Sequence, residues 1–339
     1  MGHLAFADDD TGEIVIFGGS KAGTKYQSKT QRCLANDVVL YDYHTNKVTD
    51  VIAYSEASVH SRMYCSGFKI DSRIYSYGGL NKDGQLLDNF DELNYRTREH
   101  KEALVERGKD LLVKMHSAAF TGVFYKSKMA SSNNPGVYTF RLKSITGGLD
   151  WGETTNLIKI EGFYMFGGRK ENNEASNQLL IFKVAEDAAQ SRPKFRIIAP
   201  QTIGKPPAPR YMHTMDFVPN LNLVTIYGGR NDFAGKTAVY ADLWILRLEN
   251  LEWFEAKIGG PHLPIPRCNH CSLVNDTELI ICGGQGKDYE LTKDIITIEL
   301  DQTVVDRTNP IALRLGTQVH AKLSNIKKFE LKDRIMNVK

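Results

Sequence analysis

Short apolar runs that stop abruptly at a glycine pair recur along the chain. They run from Glu13 to Gly18-Gly19, Ile74 to Gly78-Gly79, Phe163 to Gly167-Gly168, Val224 to Gly228-Gly229 and Ile280 to Gly283-Gly284. Four or five β-branched and aromatic residues in a row predict a strand buried on both faces. The glycines that end it predict a positive-φ turn or a close backbone approach that a Cβ would block. Upstream of the pairs lies a histidine or a stand-in, three residues after an arginine in Arg62-x-x-Cys65, Arg210-x-x-His213 and Arg267-x-x-His270, with His3 in the same place before the first pair. Downstream, a polar pair leads into another apolar strand, at Asn36-Asp37, Asp88-Asn89 and Asn177-Gln178, with Asp242 and Asp294 alone in that role in the last two units. A turn and a short final strand follow, as in Glu249 to Phe254. Each unit therefore predicts a meander of four antiparallel strands.

The glycine pairs lie 60, 89, 61 and 55 residues apart. The long interval predicts a degenerate unit from His116 to Trp151, with strands over His116–Tyr125, Gly136–Leu142 and Gly148–Trp151 and with Lys126-Ser127 in place of its glycines. Six units result, beginning near His3, Arg62, His116, Thr155, Arg210 and Arg267. One such sheet cannot bury both faces alone, whereas six arranged radially can. The glycine pairs, the upstream Arg-x-x-His, the later aromatic and the repeat length together resemble the kelch family over about residues 3 to 305. That resemblance implies an all-β, six-bladed β-propeller of four-stranded antiparallel blades, residues 1–305, followed by a basic tail, residues 306–339. Within 311–339 seven basic residues stand against Glu330 and Asp333, which favours a solvated or docking segment over a closing strand. A competing reading has Ile311 to Leu315 return to a blade edge.

Composition narrows the function classes. A formal charge of +3 over 339 residues excludes a globally electrostatic nucleic-acid binder. Five cysteines, an odd number, are expected to be reduced thiols of a cytoplasmic protein. The first residues predict no secretory leader, and no apolar run approaches the ~20 residues of a membrane span. His3, Cys65, His116, His213 and His270 read as framework residues rather than metal ligands. Cys268-x-x-Cys271 has no second ligand pair, and strand alternation sends its two thiols to opposite faces. Gly18 to Lys25 reverses the order a phosphate loop requires. No catalytic residue, metal or cofactor is predicted.

The expected function is a non-enzymatic protein-interaction module or scaffold. Its loops after each glycine pair converge on one face and present Asn81, Lys82, Arg169, Lys170, Arg230, Asn231, Gln285 and Lys287. Arginine there favours an acidic segment of a protein partner. The family resemblance implies a cytoskeletal, axonemal or ciliary complex as its setting. A substrate-recognition subunit of a ubiquitin ligase and a propeller oxidase, isomerase or lyase are the alternatives.

Overall fold

The computed structural model describes residues 2–8, 11–21, 33–54, 61–124, 160–185, 192–233, 235–259, 264–300 and 317–323. The architecture is an all-β propeller, and its described residues form five blades. Blade 1 comprises Leu4–Asp8, Glu13–Phe17, Val38–Asp42 and Lys47–Ile52. Blade 2 comprises Ser66–Ile70, Arg73–Tyr77, Phe90–Asn94 and Glu99–Glu102. Blade 3 comprises Ala119–Val123, Gly162–Phe166, Leu179–Ala185 and Lys194–Ile198, with Leu104–Arg107 added in parallel at its outer edge. Blade 4 comprises Thr214–Val218, Leu223–Tyr227, Leu243–Arg247 and Glu252–Gly259. Blade 5 comprises Cys271–Asn275, Glu278–Cys282, Ile295–Glu299 and Thr317–Leu323. The first strand of every blade lines a central cavity of about 500 Å³.

Two expectations are corrected. The unit expected from His116 to Trp151 is not a blade of its own among the described residues. Ala119–Val123 pairs with Phe163 and its neighbours, so it is the inner strand of the blade that carries Gly167-Gly168. The strands expected at Gly136–Leu142 and Gly148–Trp151, like the start at Thr155, lie outside the described residues. The boundary at 305 is also crossed. Thr317–Leu323 pairs antiparallel with Ile295–Glu299 and parallel with Glu252–Gly259, so the segment expected to lead away supplies the outermost strand of blade 5. It lies two residues beyond the Ile311–Leu315 stretch weighed as the alternative.

Consecutive sheets pack through aromatic and branched side chains. Phe68 of blade 2 stacks on Phe163 of blade 3 at 3.7 Å between ring centroids, inside a cluster with Tyr75, Phe90, Phe182 and Phe195. Leu223, Tyr227 and Ile245 of blade 4 meet Leu279, Ile281 and Ile298 of blade 5 in the same way. Contacts of this kind exclude water from both faces of each internal sheet, which is why the middle strands read as unbroken apolar runs.

The repeated polar residues hold the ends of the strands. Arg210 is fully buried, donates to the Gly228 carbonyl at 2.8 Å and grips Asp242 through two bonds of 2.7 and 2.8 Å. Arg267 does the same with the Gly283 carbonyl and Asp294. Arg62 reaches the Gly78 carbonyl and pairs with Asp91, two residues further along its strand and therefore on the same face. Each buried guanidinium is thus neutralised and hydrogen-bonded, as burial of a charge requires. The glycines of the pairs adopt positive φ throughout, 62° at Gly228 and 94° at Gly229 for example. A Cβ on Gly228 would lie 2.6 Å from the Arg267 carbonyl of the next blade, so glycine is needed there for space as well as for φ.

Candidate functional site: the loop face

In blades 2 to 5 the residue after the glycine pair turns back against the segment that enters the inner strand, whereas Ser20 of blade 1 pairs with Leu34. Met63 bridges Leu80, His116 pairs with Arg169, Tyr211 with Arg230 and Cys268 with Gln285. These bridges fix the bases of the loops of blades 2 to 5 at one end of the propeller, and the loops of blades 3, 4 and 5 touch. The Arg169 guanidinium lies over the Tyr211 ring at 5.2 Å. Tyr211 donates its hydroxyl to Asp232 at 2.5 Å, and Arg230 pairs with Asp232 at 3.0 Å. Arg230 in turn lies over the Tyr289 ring at 4.7 Å. Blades 3, 4 and 5 are therefore tied together across this face by one alternating chain of cations, aromatics and a carboxylate.

The expected contact residues divide accordingly. Arg230 is only 3% exposed and engaged by Asp232. Arg169 is held by Tyr211, and Asn231 is half-buried. Asn81 organises its own loop, accepting from the amides of Asp83 and Gln85 at 3.0 and 2.8 Å. Gln285 bonds through its backbone to Cys268. The cations that remain on the surface are Lys82 and Lys287, both exposed, and the half-buried Lys170. The arginines expected to take a carboxylate from a ligand already have partners, and lysines hold the positive charge this face presents.

Two features were not anticipated. Between the loops of blades 2 and 3 lies a pocket of about 370 Å³, bordered by Gln85, Lys114, His116, Lys170, Glu171 and Asn173. Burial, with Arg169 adding to it, lowers the His116 imidazole to about 4, so it is neutral at physiological pH. Lys114 lies 3.6 Å from Glu171 at the rim. Beside the cation–aromatic chain, Phe233, Tyr289 and Leu291 are exposed by 54, 63 and 75%. Large apolar groups exposed together at loop tips mark contact surfaces more often than scattered single ones do.

The framework histidines lie elsewhere. The His213 ring sits edge-on to Phe166, and that of His270 edge-on to Tyr227, each against the glycine pair of the preceding blade. Burial and the adjacent arginine hold His213 well below its usual range and His270 at about 3. His116 is not their equivalent. The left-handed residues Tyr64, Ser117, Met212 and Asn269 set the register, and it puts Ala118 in the place of His213 and His270. In the central cavity, Ser272 donates to Asp216 at 2.5 Å, and burial raises that carboxyl to about 6. Among the described residues no three His, Cys, Asp or Glu side chains cluster as metal ligands, and no helix is long and apolar enough to cross a membrane.

Comparison with known proteins points the same way. A family model described as the KLHDC2/KLHL20/DRC7 Kelch-repeats domain matches residues 152–312. A Kelch repeat-containing protein of Arthroderma benhamiae is 32% identical over 62 residues, 18% of this chain and 9% of that protein. The V(D)J recombination-activating protein 2 of Oncorhynchus mykiss is 32% identical over 73 residues, 21% of this chain and 14% of that protein. Rho GTPase-activating protein gacHH of Dictyostelium discoideum is 35% identical over 79 residues, 23% of this chain and 5% of that protein. Each similarity spans well under two thirds of the relative concerned. The solved structure of YjhT superposes with a TM-score of 0.59 at 13% identity, covering 95% of this chain and 83% of that one, which shows a shared fold. With its glycine pairs, buried Arg–Asp links and radial sheets, the chain has a β-propeller fold, and residues 152–312 are similar to the Kelch-repeats domain.

Proposed function

We propose that this propeller is a protein-binding module of the cytoplasm whose loop face takes an acidic segment of a partner. The observation that carries the reading is the pocket between blades 2 and 3, where Lys114 and Lys170 border a cavity that a carboxylate side chain can enter. Lys82 extends the positive charge along the blade 2 loop, and Phe233, Tyr289 and Leu291 add apolar area on blades 4 and 5. Lysines supply charge without a fixed fork, so they suit variable acidic sequences better than one rigid motif. The arginines beneath contribute by fixing the loops, and a preorganised surface binds with less ordering cost.

The test is titration of the full chain with a fluorescent ten-residue peptide rich in glutamate and carrying two aromatic residues, followed by anisotropy. Binding should weaken with added salt, as contacts between exposed charges do. Lys170→Glu should weaken it about fivefold or more, with unchanged circular dichroism. Equal affinity for the wild type and Lys170→Glu would remove the pocket from the account.

A further inference from the structure

The left-handed residues give the inner strands a common register. Tyr64 donates its amide to Gly2, Ser117 to Tyr64, Met212 to Ser117 and Asn269 to Met212, at 2.8, 2.8, 3.0 and 2.8 Å. Four positions after them stand Phe6, Phe68, Thr121, Asp216 and Leu273, all lining the central cavity. The fold therefore accepts an aromatic, a threonine or a leucine there, and a carboxylate is no requirement of the architecture. Its partner Ser272 stands one position earlier in blade 5, where the other blades carry Ala5, Gly67, Phe120 and Met215.

The Asp216–Ser272 pair brings a charge into the cavity without its counter-charge. Protein surrounds Asp216, and the surface it leaves open faces the cavity. Two influences set its carboxyl: burial, which raises it, and the Ser272 hydroxyl, which lowers it by less. The other charged residue among the described lining is Lys69, which lies 3.7 Å from Asp8 with both side chains buried. A carboxylate taken out of bulk water is stabilised by a cation or by several donors, and Asp216 has one hydroxyl. Around it Phe6, Phe120 and Phe217 supply apolar wall, and a volume of about 500 Å³ is of the size that holds small organic molecules.

We propose that the central cavity is a binding site for a small organic ammonium ion, with Asp216 as its counter-ion, Ser272 orienting the carboxylate and the phenylalanines taking the ligand's apolar body. Ser272 spends its one donor on Asp216 Oδ2, so the pair offers acceptors to an occupant, and an ammonium brings donors and charge together. A hard metal ion asks for about six oxygen ligands, and among the described residues no cluster of three His, Cys, Asp or Glu provides a start. Burial raises the carboxyl to about 6, and a bound cation favours its ionised form, so binding is strong above that value and weakens below it. The neighbouring groups do not follow that course. Burial keeps the imidazoles of His213 and His270 neutral through this range and pushes the Cys65 thiol up to about 11. Thr214 and Thr225, beside Asp216 on its own sheet, do not titrate, and Cys271 leaves its strand on the opposite face from Ser272.

The experiment is equilibrium dialysis of the full chain against tryptamine and against tryptophol. Both carry an indole on the same short arm, and they differ in ending in an ammonium or a hydroxyl. Near neutral pH tryptamine should bind about tenfold more tightly than tryptophol, or better, because its hydrogen bonds to the carboxylate are charge-assisted. At about pH 5, where roughly a tenth of a carboxyl titrating near 6 is ionised, that preference should be largely lost. Asp216→Asn should bring tryptamine down to the affinity of tryptophol, and Lys170→Glu on the loop face should leave it unchanged, which separates this site from the acidic-peptide surface. The comparison of the two probes on the unaltered chain needs no variant, so it decides the matter even where Asp216→Asn folds poorly. Equal binding of the two probes, or binding of neither, would overturn the proposal. So would tryptamine binding that a folded Asp216→Asn variant retains in full, since the ammonium would then sit elsewhere.

Discussion

Blades 3 and 4 make the same junctions with different side chains. In blade 4, Arg210 is buried against Asp242 and the Gly228 carbonyl, and His213 fills the space beside Gly167. In blade 3, Met115 stands at the arginine place and Ala118 at the histidine place. Gln178 replaces the aspartate, its carbonyl accepting from the Gly167 amide as that of Asp242 accepts from Gly228. The main chain is nevertheless identical in its bonding. Met115 offers its carbonyl to Gly79 as Arg210 does to Gly168, and Ser117 and Met212 share a φ of 56°. The backbone pattern therefore makes the junction, and the arginine–aspartate pair is one of at least two ways to fill the space around it.

The largest effect expected from breaking that comparison is at the ion pair. Arg210→Ala should destabilise by about 3–5 kcal/mol in urea melts, because it strands the partly buried Asp242 carboxylate as well as emptying a large site. The double change Arg210→Met with Asp242→Gln copies blade 3 and should recover more than half of that loss. If the double variant is as unstable as Arg210→Ala, the two solutions are not interchangeable.

Glycine substitutions come next. Gly228→Ala meets both a positive φ and the Arg267 carbonyl at 2.6 Å, and should cost about 2–3 kcal/mol. Gly283→Ala meets the φ of 63° alone and should cost about 1 kcal/mol. Equal midpoints for the two would deny that the close Arg267 carbonyl adds to the cost of the positive φ.

The pH dependence is smaller and has a definite sign. His270 is lowered to about 3 by burial, so between there and its ordinary 6.5 the unfolded chain binds a proton that the folded chain refuses. Stability is then fully present above about 6.5 and is lost as pH falls toward 3. His270→Gln should flatten the midpoint-versus-pH curve in that window. Changes at Ala118 should leave its slope unchanged, since blade 3 has nothing to titrate there. The smallest effect is at Lys82. Lys82→Glu should leave the urea midpoint where it is and lower only peptide binding.

Much of this was legible in the chain. The apolar runs, the glycine pairs and the buried arginines each recur in sequence and proved to be strands, tight approaches and strand-end links. The register of blade 3 was not legible, because its inner and second strands are separated by residues 124–161 and because His116 is the right residue type two positions early. The left-handed residue that sets the true register is Gly, Tyr, Ser, Met or Asn in successive blades, so residue type does not betray it. At the loop face, the neutralisation of Arg230 sets it apart from the exposed Lys82 and Lys287. Its signal was present, since Asp232 lies two residues along an extended strand and so on the same side. The cover that Tyr211 gives Arg169 depends on the next blade and has no local signature.

Amide hydrogen exchange at the second glycine of the first four pairs tests the central claim most directly, since each amide reports one junction. The account predicts slow exchange at Gly19, Gly79, Gly168 and Gly229, with the Met115-based junction at Gly79 as protected as the arginine-based ones. Fast exchange at Gly79 beside slow exchange at the other three would contradict it.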